Sequence, residues 1–394
     1  MRESLEALKG RQACEILDEL GIDCWLIWVR ETDQIVDPSL QFVYEGAFVW
    51  QTALLFTRTG ERILMAGTHD AIGVPEGAFG RIETYNEGIS QTLRDALSRI
   101  DPGSIAINVS ESDVASDGMT VGMRQLLTKY LEGTPYDDRF VSSEELIARV
   151  RGRKLEPEID RIREAVRLTE EIFEEQFARL AVGQSERLIQ ARFRQAMVER
   201  GLGDAWAPDH NPAVDAGPDK EFGHGGPSDR STSAGHLLHF DFGVEANGYC
   251  SDLQRMIYFG SSENIPGEIQ HAFDAVLGAI DASAEALKPG VRGADVDAIA
   301  RSYVVDRGYG EYMHALGHQV GRNAHDGGVI LGPRWERYGT SVEGPVEAGN
   351  VFTLELNVRT ENYGQVSLEE DVLVTETGCE FLSKQQRELI CIAP

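Results

Sequence analysis

The amino-acid sequence predicts an α+β protein of two domains, with the boundary near residue 153. Three observations support this prediction. The chain has 394 residues, whereas one domain typically has about 100–200. Short apolar segments with the length of strands alternate with segments that have the apolar periodicity of helices. The character of the sequence changes at Leu155, where a long amphipathic segment begins. We therefore assign residues 1–152 to an N-terminal α/β domain and residues 153–394 to a second domain.

In the N-terminal domain, predicted helices and strands alternate. Leu5–Leu20 has the apolar spacing of a helix, and Gly21 is a common residue just after a helix end. Cys24–Val29 is a short apolar run that predicts a buried strand, and residues 53–67 predict a hairpin with Gly60 in its turn. The remaining predicted elements are a strand in 104–110 and a helix in 142–154.

The second domain begins with a long helix predicted from Pro157 to Leu180, whose apolar residues fall along one side. A second helix is predicted from Ser185 to Glu199, and glycine- and aspartate-rich loops fill residues 203–235. A hairpin follows at Leu237–Asp252. The remaining predicted elements are helices within Pro266–Leu287 and Val296–Arg307, and two strand pairs near the C-terminal end.

Charge and cysteine content exclude several classes of function. The net charge is −28 at pH 7, and such a surface repels nucleic acid phosphates and anionic lipids, so we expect neither partner. The five cysteines are scattered without a Cys-x-x-Cys pair, which argues against a disulfide framework and fits a reducing compartment. No apolar run approaches the ~20 residues that a membrane helix needs. We therefore expect a cytoplasmic protein.

The hairpin brings two aspartates together. Asn247-Gly248 is a preferred two-residue turn, because both positions accept positive φ. In that register Asp241 lies opposite Gln254 and Asp252 lies opposite Gly243. Side chains alternate between the two faces of a strand, so the two aspartates are diagonal neighbours on one face. Gly243, which has no side chain, is expected to leave room for a ligand between them.

Two converging carboxylates next to buried phenylalanines repel one another, and burying them without a partner costs several kcal/mol. A cation between them removes that cost. A guanidinium group is one solution, and a divalent metal ion is another, because carboxylate oxygens are hard ligands. A solvent-facing acidic hairpin is the alternative that this segment alone leaves open.

Further candidate ligands lie downstream. Glu355 stands in the alternating strand Val351–Val358, with its side chain directed away from the apolar face, and Glu370 lies within Ser367–Glu376. Each glutamate has an alternative role as an exposed strand residue, and a single histidine is more often a structural hydrogen-bonding group than a ligand. Together with the two aspartates, however, these groups indicate a metal site. The histidines in the glycine-containing segment between the strands are His314, His318 and His325.

The order Asp, Asp, His, Glu, Glu resembles the pita-bread metallopeptidases, which include methionine aminopeptidase, aminopeptidase P and prolidase, with creatinase as a relative that works without metal. The resemblance implies a pita-bread fold for the second domain, preceded by a creatinase-like N-terminal domain, and a homodimer. It also implies two divalent metal ions, with manganese favoured over cobalt, zinc or iron. The positions that match the family ligands are Asp241 in DFG, Asp252 in GYCSD, His318 in HALGHQVG, Glu355 in VFTLE and Glu370 in EEDVLVTE.

The resemblance also implies a role for each site residue. One metal is held by Asp241 and the other by His318 and Glu355, and both are bridged by two further carboxylates. A metal-bridging hydroxide attacks the amide carbon, and Glu355 or Glu370 takes the proton of the attacking water. The bridging carboxylates are those of Asp252 and Glu370, and the residues expected beside the substrate are His224, His314 and His325.

Two departures from the family pattern bear on the substrate. Members that cleave next to proline usually have Glu-Pro-Gly at the first glutamate, where this chain has Glu355-Leu356-Asn357. They also usually have arginine two residues before the last glutamate, where this chain has Leu368. The first hypothesis is an Xaa-Pro dipeptidase, or a related aminopeptidase P-type exopeptidase, acting on a small peptide. A hydrolase of a small non-peptide amide, creatinase-like or ectoine-hydrolase-like, is the second, and an inactive pita-bread binding module is the third.

Overall fold

The computed structural model describes residues 4–220, 222 and 225–394. The chain divides into two compact units between Arg151 and Gly152. Within the described part of the chain, no helix is long and apolar enough to cross a lipid bilayer.

The first unit is built on a mixed sheet with strand order β4-β3-β2-β1-β5-β6. The central strand β1, Cys24–Val29, is buried at every position. Its alternate residues face two separate apolar cores: Trp25 belongs to one and Leu26 to the other. Helices therefore cover both faces of this sheet. The other elements are α1 Leu5–Leu20, α2 Leu40–Val43, β2 Thr52–Thr57, β3 Arg62–Gly67, α3 Thr68–Ala71, β4 Arg81–Tyr85, α4 Ser90–Ile100, β5 Ile105–Ile107, α5 Val121–Leu131, β6 Phe140–Ser142 and α6 Glu144–Gly152.

The second unit contains four described α-helices around strongly paired strands. Its longest sheet has the order β13-β14-β12-β9-β8, with β15 paired to β14 and β16 to β12, and a small sheet has the order β11-β10-β7. The elements are α7 Glu156–Phe177, α8 Glu186–Arg200, β7 Gly203–Asp204, β8 Ala213–Ala216, β9 Leu237–Phe242, β10 Val244–Ala246, β11 Tyr249–Cys250, β12 Leu253–Tyr258, α9 Gly267–Ala286, α10 Gly293–Val305, β13 Val351–Arg359, β14 Gln365–Val374, β15 Cys379–Phe381 and β16 Ile390–Cys391.

Helix α9 covers one face of β13 and β14, and α10 packs against α9. Leu354 and Leu356 of β13 pack with Leu368 of β14 in an apolar cluster, together with residues of both helices such as Phe273 and Val296. The side chains at the intervening strand positions therefore point to the opposite face of the sheet. That opposite face carries the candidate site.

The two phenylalanines around Asp241 have a structural explanation. The Phe240 and Phe242 rings pack against Phe173 of α7 and Phe193 of α8, with ring centroids 5.1–6.1 Å apart. Because neighbouring residues of a strand face opposite sides, anchoring these rings under the sheet directs the Asp241 side chain to the other face.

The predicted register of the hairpin is confirmed. Asn247 and Gly248 have φ values of 53° and 78°, and Gln254 pairs with Asp241. The prediction for Gly243 was wrong, because a Cβ there would lie 1.9 Å from the Ser251 carbonyl oxygen. The missing side chain thus accommodates the neighbouring backbone, not a ligand.

Candidate metal centre

Two predicted ligands converge with a third acidic residue on one face of the second unit. The third residue, Glu369, directly precedes the predicted ligand Glu370. One ligand atom from each of Asp252, His318 and Glu369 lies within 4.8 Å of the others. The sheet register explains this convergence, because Glu369 pairs with Glu355 on one side and with Gln254 on the other. Strands β13, β14 and β12 thus present their polar residues in a single row.

His318 reaches this row because its segment runs beside β13. Thr353 N donates to His318 O at 2.9 Å, and Thr353 Oγ1 accepts from His318 N at 3.2 Å. A Cβ at Gly317 would lie 2.0 Å from the Thr353 carbonyl oxygen, so only glycine permits this approach. His318 Nε2 then lies 3.7 Å from Glu355 Oε1 and 3.8 Å from Asp252 Oδ2.

Asp241 completes the row from β9. It pairs with Gln254, and its charge contributes to the raised pKa of both Asp252 and Glu355, so its carboxylate lies beside theirs. The structure therefore brings together four of the five ligands that the resemblance implied. These are Asp241, Asp252, His318 and Glu355.

The expectation that Glu370 is a ligand is corrected by the structure. Its side chain points to the opposite face of β14, where Oε2 accepts from Arg255 Nη2 at 3.0 Å and Oε1 accepts from Gln386 N at 3.0 Å. Ser383 Oγ donates to the same carboxylate. The physical reason is the alternation of side chains along a strand, which puts Glu369, not Glu370, beside Glu355.

The same shift of one residue corrects the position of the missing arginine. Two residues before Glu369 stands Ser367, whose hydroxyl donates to Gln254 Oε1. Leu368, which was expected there, is a fully buried member of the apolar cluster. The alternation of Val366, Leu368 and Val372 was the sequence signal that assigns Ser367 and Glu369 to the polar face.

Burial and mutual repulsion shape the electrostatics of the centre. Burial, followed by the charge of Asp241, raises the pKa of Asp252 well above its usual range, and burial followed by the charge of Asp252 does the same for Glu369. Burial and the Asp241 charge raise the pKa of Glu355 to about 8. Burial, followed by the nearby His325, lowers the pKa of His318 to about 3.

These shifts show a centre that favours added positive charge. A neutral imidazole and a group of buried carboxylates lie close together, and a bound cation would stabilise the ionised carboxylates. Oxygen-rich ligands with one imidazole are a donor set that suits divalent metals such as manganese, iron, cobalt or zinc. The residues present therefore fit the divalent metals that the resemblance implied.

The histidines expected beside the substrate have different surroundings. His314 Nδ1 donates to the Ala315 carbonyl at 2.7 Å, so His314 Nε2 accepts from Asn357 Nδ2 at 2.9 Å. The ring of His325 lies 4.2 Å from the ring of His318, measured between centroids. His224 lies outside the described residues.

The fold and the carboxylate–histidine site together define a metallopeptidase with the pita-bread fold. The sequence model of metallopeptidase family M24 matches residues 160–376. The chain belongs to this family. The predicted fold class and the predicted type of enzyme are thereby confirmed.

Similar proteins include an uncharacterized peptidase of Staphylococcus haemolyticus, 30% identical over 333 residues, which cover 84% of this chain and 87% of that protein. Among solved structures, an Xaa-Pro dipeptidase from Bacillus anthracis matches with a TM-score of 0.74 at 22% identity, over 98% of this chain and 100% of the other. A prolidase from Pyrococcus horikoshii matches with a TM-score of 0.68 at 25% identity, over 97% and 100% of the two chains.

Proposed function

We propose that this metallopeptidase is an Xaa-Pro dipeptidase that uses two divalent metal ions. The observation that carries the proposal is the convergence of Asp252, His318 and Glu369 within 4.8 Å, with Glu355 directly beside them. The similar folds of an Xaa-Pro dipeptidase and a prolidase support an exopeptidase that cleaves next to proline.

The metal ions would be held by the buried carboxylates and the imidazole of the site. Bound divalent ions supply Lewis acidity, which polarises an amide carbonyl and makes water a better nucleophile at neutral pH. The proposed ligand set is Asp241, Asp252, His318, Glu355 and Glu369.

Glu355 is the residue to which we assign the proton of the attacking water. Its Oε2 accepts from Gln254 Nε2 at 3.2 Å, and its Oε1 faces His318 Nε2. Glu370, the other candidate, points away from the site and has no part in this step.

The substrate would lie on the side of the metals where His314 and His325 stand. His325 is adjacent to His318, and His314 holds the Asn357 amide. We propose that His325 and His224 donate hydrogen bonds to the substrate oxygen on which charge develops, a type of contact that stabilises a transition state by a few kcal/mol. His314 contributes by orienting Asn357.

A second candidate function is hydrolysis of a small non-peptide amide. Ser367 stands where relatives that act next to proline usually have arginine, and a hydroxyl cannot form the paired hydrogen bonds with which a guanidinium holds a carboxylate. A substrate without a free carboxylate would not need that contact.

A substrate panel separates the two candidates. Purified protein would be supplied separately with manganese, cobalt or zinc and offered Ala-Pro, Gly-Pro and a set of cyclic amides. Cleavage of the two dipeptides supports the first candidate. Cleavage of cyclic amides alone replaces it with the second.

Replacing Asp252 tests the metal centre itself. Asp252→Asn should abolish activity and lower the bound metal measured by atomic emission, while circular dichroism shows a folded chain. Asp281→Asn is the matched control, because Asp281 pairs with Arg387 at the surface and is remote from the proposed ligands in sequence. An active Asp252→Asn protein with its full metal content would contradict the role of Asp252 as a ligand.

Three finer features are part of the same proposal. Manganese is the expected metal, the expected assembly is a homodimer, and the expected location is the cytoplasm. Metal analysis of the protein as purified, light scattering and cell fractionation measure them in turn.

A further inference from the structure

A chain of buried side chains leads to Glu355 from the neighbouring strands. Gln254 Nε2 donates to Glu355 Oε2 at 3.2 Å, and Gln254 Oε1 lies 3.0 Å from His239 Nε2. On the other side of the ring, His239 Nδ1 lies 3.0 Å from Asp215 Oδ2. The three residues that lead to Glu355 are only 2–7% exposed.

The sheet register places this chain beside the proposed ligands. Asp215 of β8 pairs directly with His239 of β9, and Gln254 of β12 pairs with Asp241 and with Glu369. Gln254 thus occupies the row of proposed ligands without being one of them. Its amide connects that row to the adjacent pair formed by Asp215 and His239.

The hydrogen bonds lead outwards from the His239 ring. Asp215 Oδ2 and Gln254 Oε1 are both acceptors, so a His239 ring that donates to both carries a proton on Nδ1 and on Nε2. Ser367 Oγ also donates to Gln254 Oε1. With its oxygen engaged twice, the Gln254 amide has its NH₂ group directed towards Glu355.

Further contacts hold the end of this hydrogen-bonded series of side chains at Asp215 and His239. Lys220 Nζ lies 3.1 Å from Asp215 Oδ1 and 3.4 Å from Glu186 Oε2. Glu186, in the first turn of α8, also accepts from Ala216 N at 2.9 Å. The Phe222 ring stacks on the His239 ring with centroids 4.0 Å apart. These contacts fix the position and the plane of the His239 ring.

We propose that Asp215, His239 and Gln254 are positioning residues that hold the Glu355 carboxylate with Oε2 engaged and Oε1 directed towards the metal ions. The proposal rests on the proposed function, in which Glu355 is a metal ligand. A carboxylate that is already oriented loses less conformational freedom when metal binds. Loss of such an outer partner of a ligand typically lowers metal affinity or activity about 10- to 100-fold.

The test uses full-length protein with cobalt, whose visible absorption spectrum reports the geometry of its ligands. His239→Leu removes both ring hydrogen bonds, whereas Asp215→Asn keeps an acceptor oxygen for His239 Nδ1 but loses the charge and the second oxygen, which faces Lys220. We expect His239→Leu to change the cobalt spectrum and to lower cobalt affinity and kcat about 10- to 100-fold, with KM within about twofold of wild type. Asp215→Asn should give a smaller change of the same kind.

Ser283→Ala is the matched control. It removes a buried hydroxyl that donates to the Ala279 carbonyl at 2.7 Å within α9, so it costs a buried hydrogen bond of an unrelated helix. It should leave the cobalt spectrum, cobalt affinity and kcat at their wild-type values. A loss of stability that is common to all three variants then cannot account for spectral changes seen only in two of them.

The outcomes separate this proposal from the proposed function. If wild-type protein binds no cobalt, the proposed function fails, and the positioning role fails with it. If wild-type protein binds cobalt and both variants fold with its spectrum and affinity, the positioning role alone is overturned. Where His239→Leu does not fold, the spectrum and cobalt affinity of Asp215→Asn give the result.

Discussion

Two neighbouring glutamates on opposite faces of strand β14 have opposite electrostatic surroundings. Glu369 and Glu370 are both about 1% exposed, and burial is the largest cause of a raised pKa at both. At Glu370 the Arg255 guanidinium opposes that rise, and Ser383 and the Gln386 backbone also donate to the carboxylate. At Glu369 the next causes are the carboxylates of its neighbours, which raise the pKa further.

Glu370 is thus a structural carboxylate with a cationic partner in the protein, whereas Glu369 is a carboxylate that an added cation would stabilise. The protein supplies the positive charge for Glu370 from its own sequence, through Arg255. On the other face it places further acids, including Asp252, next to Glu369. A cluster of buried carboxylates destabilises the folded state unless a cation from solution binds to it. The contrast between the two glutamates therefore supports a metal site at Glu369.

The largest expected effect comes from removing the charge of Glu369, on the face of the sheet that carries the proposed ligands. Glu369→Gln should lower kcat/KM more than about 1,000-fold, since loss of an outer partner of a ligand alone costs about 10- to 100-fold. The metal-free variant should be at least as stable as metal-free wild type, because one of several repelling carboxylates is gone. Steady-state kinetics and thermal melts in chelator measure the two effects. If the variant has wild-type kinetics, Glu369 is not part of the active site.

The next effect concerns the metal-free protein and pH. The pKa of Glu355 is raised to about 8 by burial and by the charge of Asp241, so the folded metal-free protein retains a proton that the unfolded chain releases. Stability must then fall as the pH rises from about 5 to about 8. Melting temperatures with chelator and with manganese measure the difference, which should widen with pH. A difference that narrows over this range contradicts the prediction.

On the opposite face of β14, where Arg255 lies, we expect a substitution to lower stability and to leave metal binding and activity unchanged. Glu370→Gln leaves Arg255 buried without its charged partner, and we expect a loss of about 3 kcal/mol of unfolding free energy. Bound metal and the kcat of the folded fraction should change little. Denaturant unfolding with metal analysis checks both statements. Loss of metal at unchanged stability would show that Glu370 acts at the centre after all.

The smallest effect is expected at Ser367, which lies on the same face as the proposed ligands but is uncharged. Ser367→Ala removes the hydroxyl that donates to Gln254 Oε1 and should cost about 1 kcal/mol of stability. Activity should fall much less than in Glu369→Gln. Parallel unfolding and kinetic measurements on the two variants give the ratio. An equal loss of activity in both would assign Ser367 a direct role with substrate.

Much of this architecture was predictable from local patterns. The bounds of α1 and β1, the type and register of the turn at Asn247-Gly248, and the facing of Asp241 and Asp252 all follow from periodicity and turn chemistry. These features depend on residues close in sequence, so a single chain contains the information. The approach of His318 to Asp252 was not local, and only the family order indicated it.

The sequence distinguishes Glu369 from Glu370 only by the facing of their side chains. The run of three acids at 369–371 offers no distinction by residue type, so the family motif fits it in two registers. Alternation of the apolar residues Leu368 and Val372 would have resolved it, since they define the buried face of β14. The contribution of Gln254 could not be predicted, because it depends on side chains from several strands.

Gly317 limits how this enzyme can be re-engineered. Its missing side chain lets the backbone of the histidine segment touch β13, so His318 is placed by main-chain geometry and tolerates no substitution one residue earlier. Libraries that aim at new substrates should keep this glycine and vary Ser367 and Asn357 instead, whose side chains border the row of proposed ligands without setting the path of the backbone.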